Sequence, residues 1–114
     1  QQEQVAAERM RRMLHFVEEH YPEELTVERI ADSVALSESA CLRSFRQLLG
    51  TTPIQYVKQY RIEKAAELLL STSMKTGEVG AECGFADTSY FTKTFREMKN
   101  CTPKEYRRRF AGER

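Results

Sequence analysis

Apolar residues recur at intervals of three and four along the whole chain, and strict alternation never persists long enough to predict a strand. Met10, Met13 and Val17 mark such a stripe in a first helix, predicted from about Val5 to His20. Pro22 ends this helix because the residue before a proline is restricted to extended conformations. We therefore predict an all-α fold of about seven helices.

The second and third helices are predicted to be short and capped by hydroxyl side chains. Thr26 can cap a helix that ends near Val34, and Ser37 can cap one that stops at Gly50. The second helix is predicted to bury Val27, Ile30 and Ala31. The residues predicted to form the core stripe of the third are Ala40, Cys41, Phe45, Leu48 and Leu49.

The fourth helix is predicted to be the longest, with Thr52 as its cap and Pro53 at its first position, where a missing N–H costs nothing. It would end at Leu70 and span about 27 Å at about 1.5 Å per residue. Such a helix could connect two lobes. Its predicted apolar positions are Val57, Tyr60, Ala65, Leu68 and Leu69.

Three further helices are predicted over about Lys75–Cys83, Asp87–Asn100 and Pro103–Phe110. Gly84 can take the positive φ of the turn that follows the first of them. The carboxylate of Asp87 can cap the next helix, and the asparagine at its end tolerates the left-handed conformation.

A short phrase occurs twice, fifty positions apart: "FRQLLGTTPIQY" at Phe45–Tyr56 and "FREMKNCTPKEY" at Phe95–Tyr106. Each copy follows a short helix and a tight turn, which together are typical of a helix-turn-helix with a bracing helix behind it. Ala31 and Gly80 are small where the two helices of each motif approach closely. The phenylalanine that opens each phrase is predicted to lie in the core and not to stack on bases.

Composition changes this interpretation little. The chain has 114 residues, of which 40% are apolar and 31% charged, and it has no stretch near the roughly 18 apolar residues of a membrane span and no signal pattern. We therefore expect a globular cytoplasmic protein, and the initial Gln suggests a segment of a longer chain. Cys41, Cys83 and Cys101 form no CxxC pair, so we expect no metal and no other cofactor.

The net charge of +1 is unevenly distributed, with −4 over residues 1–35, +1 over 36–85 and +4 over 86–114. A positive face on a nearly neutral body permits nucleic-acid binding without requiring it.

Two long segments resemble the two halves of an AraC/XylS-family DNA-binding domain: "LTVERIADSVALSESACLRSFRQLLGTTPIQYVKQYRIEKAAELLL" and "VGAECGFADTSYFTKTFREMKNCTPKEYRR". The resemblance covers roughly residues 7 to 110. It implies the C-terminal DNA-binding domain of a bacterial transcription regulator, with two helix-turn-helix subdomains in successive major grooves. The predicted boundaries are a linker remnant or helix start at 1–8, a first subdomain at 9–50, a connecting helix at 51–70 and a second subdomain at 71–114. The chain departs mildly from the family pattern at Cys41, Gly80, Lys93 and Asn100.

A recognition helix buries one face and turns the other toward the groove. With Cys41, Phe45 and Leu48 inward, the outward residues of the third helix are Glu38, Ser39, Leu42, Arg43, Arg46 and Gln47. With Phe91 and Phe95 inward, those of the sixth are Thr88, Ser89, Thr92, Lys93 and Arg96, with Tyr90 at the boundary. The resemblance favours Ser39, Leu42, Arg43, Thr88, Ser89, Tyr90 and Lys93 as the residues that face bases.

The chemistry of these side chains suggests different roles. A guanidinium at Arg43 can bond O6 and N7 of guanine together, although a solvated surface charge is the alternative interpretation. Leu42 could touch a thymine methyl group or be an ordinary exposed leucine. We predict phosphate contacts for Arg46, Arg96 and Lys104. Arg61 matches a family position in the connecting helix where an ion pair is expected, so we do not expect it to face DNA.

The predicted partners are double-stranded DNA, a missing N-terminal effector-binding domain and, as a further candidate, RNA polymerase. The main alternative is a helical protein-interaction module that docks on RNA polymerase or on its own sensor domain. We do not expect an enzyme, because no glycine loop, nucleophile–histidine pairing or metal spacing accompanies the carboxylates. The operator, the inducer and the direction of regulation stay open.

Overall fold

The computed structural model describes residues 1–111. Within that range the chain forms seven α-helices and no strand, which confirms the predicted all-α class. The helices are α1 Gln2–His20, α2 Val27–Asp32, α3 Glu38–Leu49, α4 Pro53–Ser71, α5 Thr76–Glu82, α6 Thr88–Lys99 and α7 Pro103–Ala111. The chain divides into two compact units, the first over Gln1–Lys58 and the second from Gln59 onward. No helix in the described part combines the length and the apolarity that a membrane crossing requires.

Side-chain caps begin four of the helices as the sequence predicts. In each case the capping oxygen accepts the backbone N–H three residues later, at 2.7 Å for Asp87 and 3.1 Å for Thr26, Ser37 and Thr52. The predicted left-handed stops are also present, with φ of 69° at Gly50 and 64° at Asn100. Local chemistry therefore sets most of the helix boundaries.

The core of the first unit lies where α1, α2 and α3 pack together. Met13, Ile30, Cys41 and Phe45 are all fully buried there. The thiol of Cys41 lies 3.8 Å from the thioether sulfur of Met13, and burial raises the pKa of this thiol. The ring of Phe45 also packs edge-to-face against the ring of Tyr56, with 6.0 Å between the ring centroids, so the first turn of α4 packs against α3.

The second unit is built around a run of aromatic rings. Ring centroids are 5.1 Å apart for Phe85 and Phe91, 5.9 Å for Phe91 and Phe95, and 5.3 Å for Phe95 and Tyr106. Burial raises the pKa of the neighbouring Cys83 thiol to about 11. The two phenylalanines that open the repeated phrases have no exposed surface, as predicted.

The two turns follow the same hydrogen-bond pattern. The N–H of Leu36 bonds the carbonyl of Ala31 at 2.9 Å, and the N–H of Phe85 bonds that of Gly80 at 3.0 Å. The residue before each donor has positive φ, 57° at Ala35 and 100° at Gly84. The sequence predicts the glycine in this role but not the alanine.

Some predicted core positions prove wrong. Leu48 and Leu49 are predicted to face inward but are 47% and 39% exposed, because both lie on the last turn of α3, where α1 and α3 leave an open cleft between them. Leu48 instead lines an open apolar cleft with Ala7, Met10 and Leu14. On α4 the structure also buries two residues outside the predicted stripe, Ile62 and Ala66. The prediction places the start of α1 and the end of α2 a few residues too late.

Candidate nucleic-acid interface

The exposed face of α3 carries every residue of this helix that the sequence predicts to meet DNA. Its fully buried Phe45 fixes which way the helix is turned. Neither Arg43 nor Arg46 forms an ion pair with any residue in the described range. The exposed predicted residues are Ser39, Leu42, Arg43, Arg46 and Gln47, together with Glu38 at the first position of the helix.

The exposed face of α6 has a similar composition. The predicted residues Thr88, Ser89, Tyr90, Lys93 and Arg96 are exposed, and Thr92 is half-buried. With the exception of Tyr90, these residues and Glu97 line one open groove along the helix.

Tyr90 and Lys93 each have a contact within the second unit. The ring of Tyr90 packs 5.8 Å from that of Phe85, yet the residue remains 46% exposed, which is more than its predicted boundary position suggests. The ammonium of Lys93 lies 4.0 Å from the carboxylate of Glu97. Exposed pairs of this kind contribute only about 0–1 kcal/mol, so the ammonium of Lys93 can exchange Glu97 for another partner at little cost.

Arg61 lies on the connecting helix and not on either of these exposed faces. It lies half-buried on α4 in the second unit, near the phenol of Tyr90 and the thiol of Cys83. Burial lowers the pKa of Arg61, while both neighbours oppose that shift by favouring the charged form. That Arg61 does not face DNA stays a prediction.

The second unit also has a basic cleft, only part of which could be predicted from the sequence. It is an open cleft lined by Lys75, Thr76, Lys104, Arg107 and Arg108, and of these only Lys104 was expected to contact phosphate. The others were missed because they come from two helices that are distant in sequence. Among residues 1–111, no three His, Cys, Asp or Glu side chains lie close enough to hold a metal ion.

Residues 30–109 match the family model described as "Helix-turn-helix domain", and the chain belongs to this AraC-type helix-turn-helix family. The resemblance found in the sequence is thereby confirmed. Its members are DNA-binding domains of transcriptional regulators and not enzymes. The chain is 40% identical over 108 residues to the uncharacterized HTH-type transcriptional regulator YdeC of Bacillus subtilis. That match covers 95% of this chain but only 37% of YdeC.

Two solved structures have closely similar folds. One is a transcriptional regulator of the AraC-type DNA-binding class from Chromobacterium violaceum, with 32% identity and a TM-score of 0.85 over 90% of this chain and 92% of that one. The other is the DNA-binding domain of the global transcriptional factor AdpA in complex with a target DNA, with 28% identity, a TM-score of 0.85 and the same two coverages.

Proposed function

We propose that this chain is the sequence-specific DNA-binding part of a longer bacterial transcription regulator and that α3 and α6 are its recognition helices. The observation that carries the proposal is a feature of both units. In each helix-turn-helix, the second helix has a fully buried phenylalanine on one face and an exposed row that includes hydrogen-bond donors on the opposite face. A helix of about 10–12 Å diameter with such a row fits the major groove, which is about 12 Å wide.

On α3 the proposal gives each exposed side chain a role. Arg43 reads a guanine through its two parallel N–H groups, and its lack of an intramolecular ion pair in the described range leaves it available for that contact. Ser39 and Leu42 contact neighbouring bases, the leucine through a thymine methyl group. Arg46 and Gln47 lie further from the helix start and contact the phosphate backbone.

On α6 the base-facing residues are Thr88, Ser89, Tyr90 and Lys93, which occupy its first two turns. Lys93 carries a single ammonium group and cannot form the fork that an arginine makes with guanine, so its contribution to specificity is smaller. Two residues of this helix remain for the phosphates: Arg96 as an ion pair and the half-buried Thr92 at the edge of the contact.

We propose that the two units bind two successive major grooves of one duplex and that α4 connects them. Its 19 residues form one continuous helix, and equivalent points of adjacent major grooves lie roughly 34 Å apart. We propose 9–50 and 71–114 as the two DNA-binding subdomains and 51–70 as the helix that connects them. A single chain then spans both grooves.

The remaining partners follow from the length of the relatives. The chain spans little more than a third of YdeC. We propose that an N-terminal effector-binding domain precedes it in the complete regulator, that RNA polymerase is a further partner at the promoter, and that the protein works in the cytoplasm, where the bacterial DNA is. The alternative of a pure protein-interaction module is not favoured, because the matched family binds DNA.

Selection of bound fragments from random duplex DNA tests the proposal. Once a site is known, Arg43→Ala should weaken binding to it by about 1–3 kcal/mol and leave binding to random duplex nearly unchanged. Arg46→Ala is the matched control, because removing a side chain that binds phosphate should weaken both equally. No enrichment of any sequence, or an equal loss on both duplexes for Arg43→Ala, contradicts the proposal.

A further inference from the structure

The basic cleft of the second unit joins the start of α5 to the first turns of α7. Three of its cations, Lys75, Lys104 and Arg108, are exposed, and none lies within ion-pair distance of a carboxylate in the described part of the chain. Two glutamates lie near it in sequence, but each accepts a backbone N–H, Glu78 from Lys75 at 3.1 Å and Glu105 from Thr102 at 2.8 Å. The charge of Glu105 still acts on Arg108, but the residues that line the cleft include four cations and no carboxylate, so the cleft has a net positive charge.

Arg107 holds the two sides of this cleft together. Its guanidinium donates to three backbone carbonyls in and after the last turns of α4: Nε to Leu69 at 2.8 Å, Nη1 to Met74 at 2.5 Å and Nη2 to Thr72 at 3.2 Å. These bonds fasten the segment that leads into Lys75 directly to α7. Arg107 is thus occupied with the fold, and the other three cations form the exposed charge.

The cleft lies beside the end of α6 that we expect to enter the groove. A methyl group at Gly77 would lie 3.4 Å from the hydroxyl of Thr88, so the first turn of α5 touches the first turn of α6. The N-terminal turns of a recognition helix go deepest, and the phosphates of the two strands flank a groove about 12 Å wide. Lys75 lies two residues from this contact, and Lys104 and Arg108 line the same cleft, so the three cations lie on the side of the second unit next to the start of α6.

We propose that Lys75, Lys104 and Arg108 bind the phosphate backbone of the duplex whose major groove receives α6. The inference rests on the proposed function of α6 and extends it with a second contact surface. Phosphate contacts do not select sequence, so this surface fixes the position and orientation of the second unit while α6 reads the bases.

The test compares the triple variant Lys75→Gln, Lys104→Gln, Arg108→Gln with the unchanged protein, on the selected duplex and on random duplex, over a series of salt concentrations. The slope of log binding constant against log salt should become shallower by about 0.9 for each phosphate that the variant no longer neutralises. The affinity at fixed salt should fall by the same factor on both duplexes. A second comparison uses two single variants of α7. Lys104→Gln removes one charge inside the cleft and should make the slope shallower. Arg109→Gln removes one exposed charge outside the cleft and should leave the slope unchanged.

The outcomes are distinguishable. If the unchanged protein binds its selected site and the triple variant keeps the same salt slope, the cleft is not a phosphate-binding surface, while the proposed function stands. If Arg109→Gln reduces the slope as much as Lys104→Gln, net charge and not the cleft is responsible, and the inference fails. If the unchanged protein shows no salt-dependent binding to any duplex, the proposed function itself is wrong.

Discussion

Gly80 lies so close to Phe91 that a methyl group at its position would be 2.6 Å from Cδ2 and 2.7 Å from Cγ of the ring. The corresponding positions in the first unit hold Ala31 and Cys41, both buried. In both units the smaller residue lies on the first helix of the motif and the larger residue on the second, and the difference in size is greater in the second unit. The ring of Phe91 leaves no room for a side chain at position 80.

This contact predicts the sign of a substitution. Gly80→Ala gains up to about 1 kcal/mol of helix propensity, but forcing a methyl group into the ring of Phe91 should cost about 1–3 kcal/mol. We expect a net destabilisation of about 1 kcal/mol in urea unfolding. The additional change Phe91→Leu should make the methyl group easier to accommodate, and a double-mutant cycle should show favourable coupling between the two changes.

The matched control for this prediction is Gly77→Ala, on the same helix. Its new methyl group would be 3.4 Å from the nearest atom, an ordinary contact, so the gain in helix propensity should survive as a stabilisation of up to about 1 kcal/mol. If Gly80→Ala stabilises the protein as much as Gly77→Ala does, the contact with Phe91 is not as close as described.

Arg107 should be sensitive to a change that preserves its charge. In Arg107→Lys one ammonium group cannot reach three carbonyls at once, and hydrogen bonds to a charged group each contribute about 1.5–3 kcal/mol. We expect thermal or chemical unfolding of the variant to show a loss of about that size. Arg109→Lys, an exposed position on the same helix, should change the stability by less than about 0.5 kcal/mol. Equal small effects at both positions would show that the three bonds contribute little.

Glu105 should give the second unit a stability that depends on pH. Its carboxylate accepts the N–H of Thr102 at 2.8 Å, and the Thr102 hydroxyl accepts the N–H of Glu105 at 3.1 Å, which together form a capping box at α7. The hydrogen bond from the Thr102 backbone, then that from its side chain, lowers the pKa of Glu105 below its ordinary value of 4.5. A lowered pKa means that this stabilisation is present above that ordinary value and is lost as the pH falls through the pKa of the folded state.

Glu105→Gln should therefore be less stable than the unchanged protein at pH 7, and the difference should shrink as the pH falls below 4.5. The first unit provides a comparison, because Gln55 occupies the equivalent place and its N–H bonds the hydroxyl of Thr52 at 3.1 Å. Gln55→Glu should add stability at neutral pH that disappears in acid. A difference between Glu105→Gln and the unchanged protein that is constant from pH 7 to about pH 3 would contradict this account.

The sequence predicted what local chemistry determines. The caps at Ser37 and Asp87 and the left-handed stop at Asn100 are confirmed because each depends on a few adjacent residues. The prediction for Leu48 is wrong because its burial depends on how closely α1 packs against the end of α3, which helical periodicity does not determine. Ala35 could not be foreseen, since nothing in a sequence marks an alanine that accepts a left-handed conformation costing about 1–2 kcal/mol.

The same distinction holds for the candidate interface. The exposed rows of α3 and α6 could be predicted because the buried Phe45 and Phe95 fix the rotation of each helix about its axis. The basic cleft could not be predicted in full. It depends on Arg107 tying together two segments more than thirty residues apart in the chain.

The most direct test of the central claim, that α3 and α6 both read one duplex, is purine methylation interference on the selected site. The account predicts two clusters of interfering major-groove positions, centred about 10–10.5 base pairs apart on one face of the DNA. Arg43→Ala should remove the strongest interference from one cluster only. A single cluster, or two clusters that Arg43→Ala weakens alike, would contradict it.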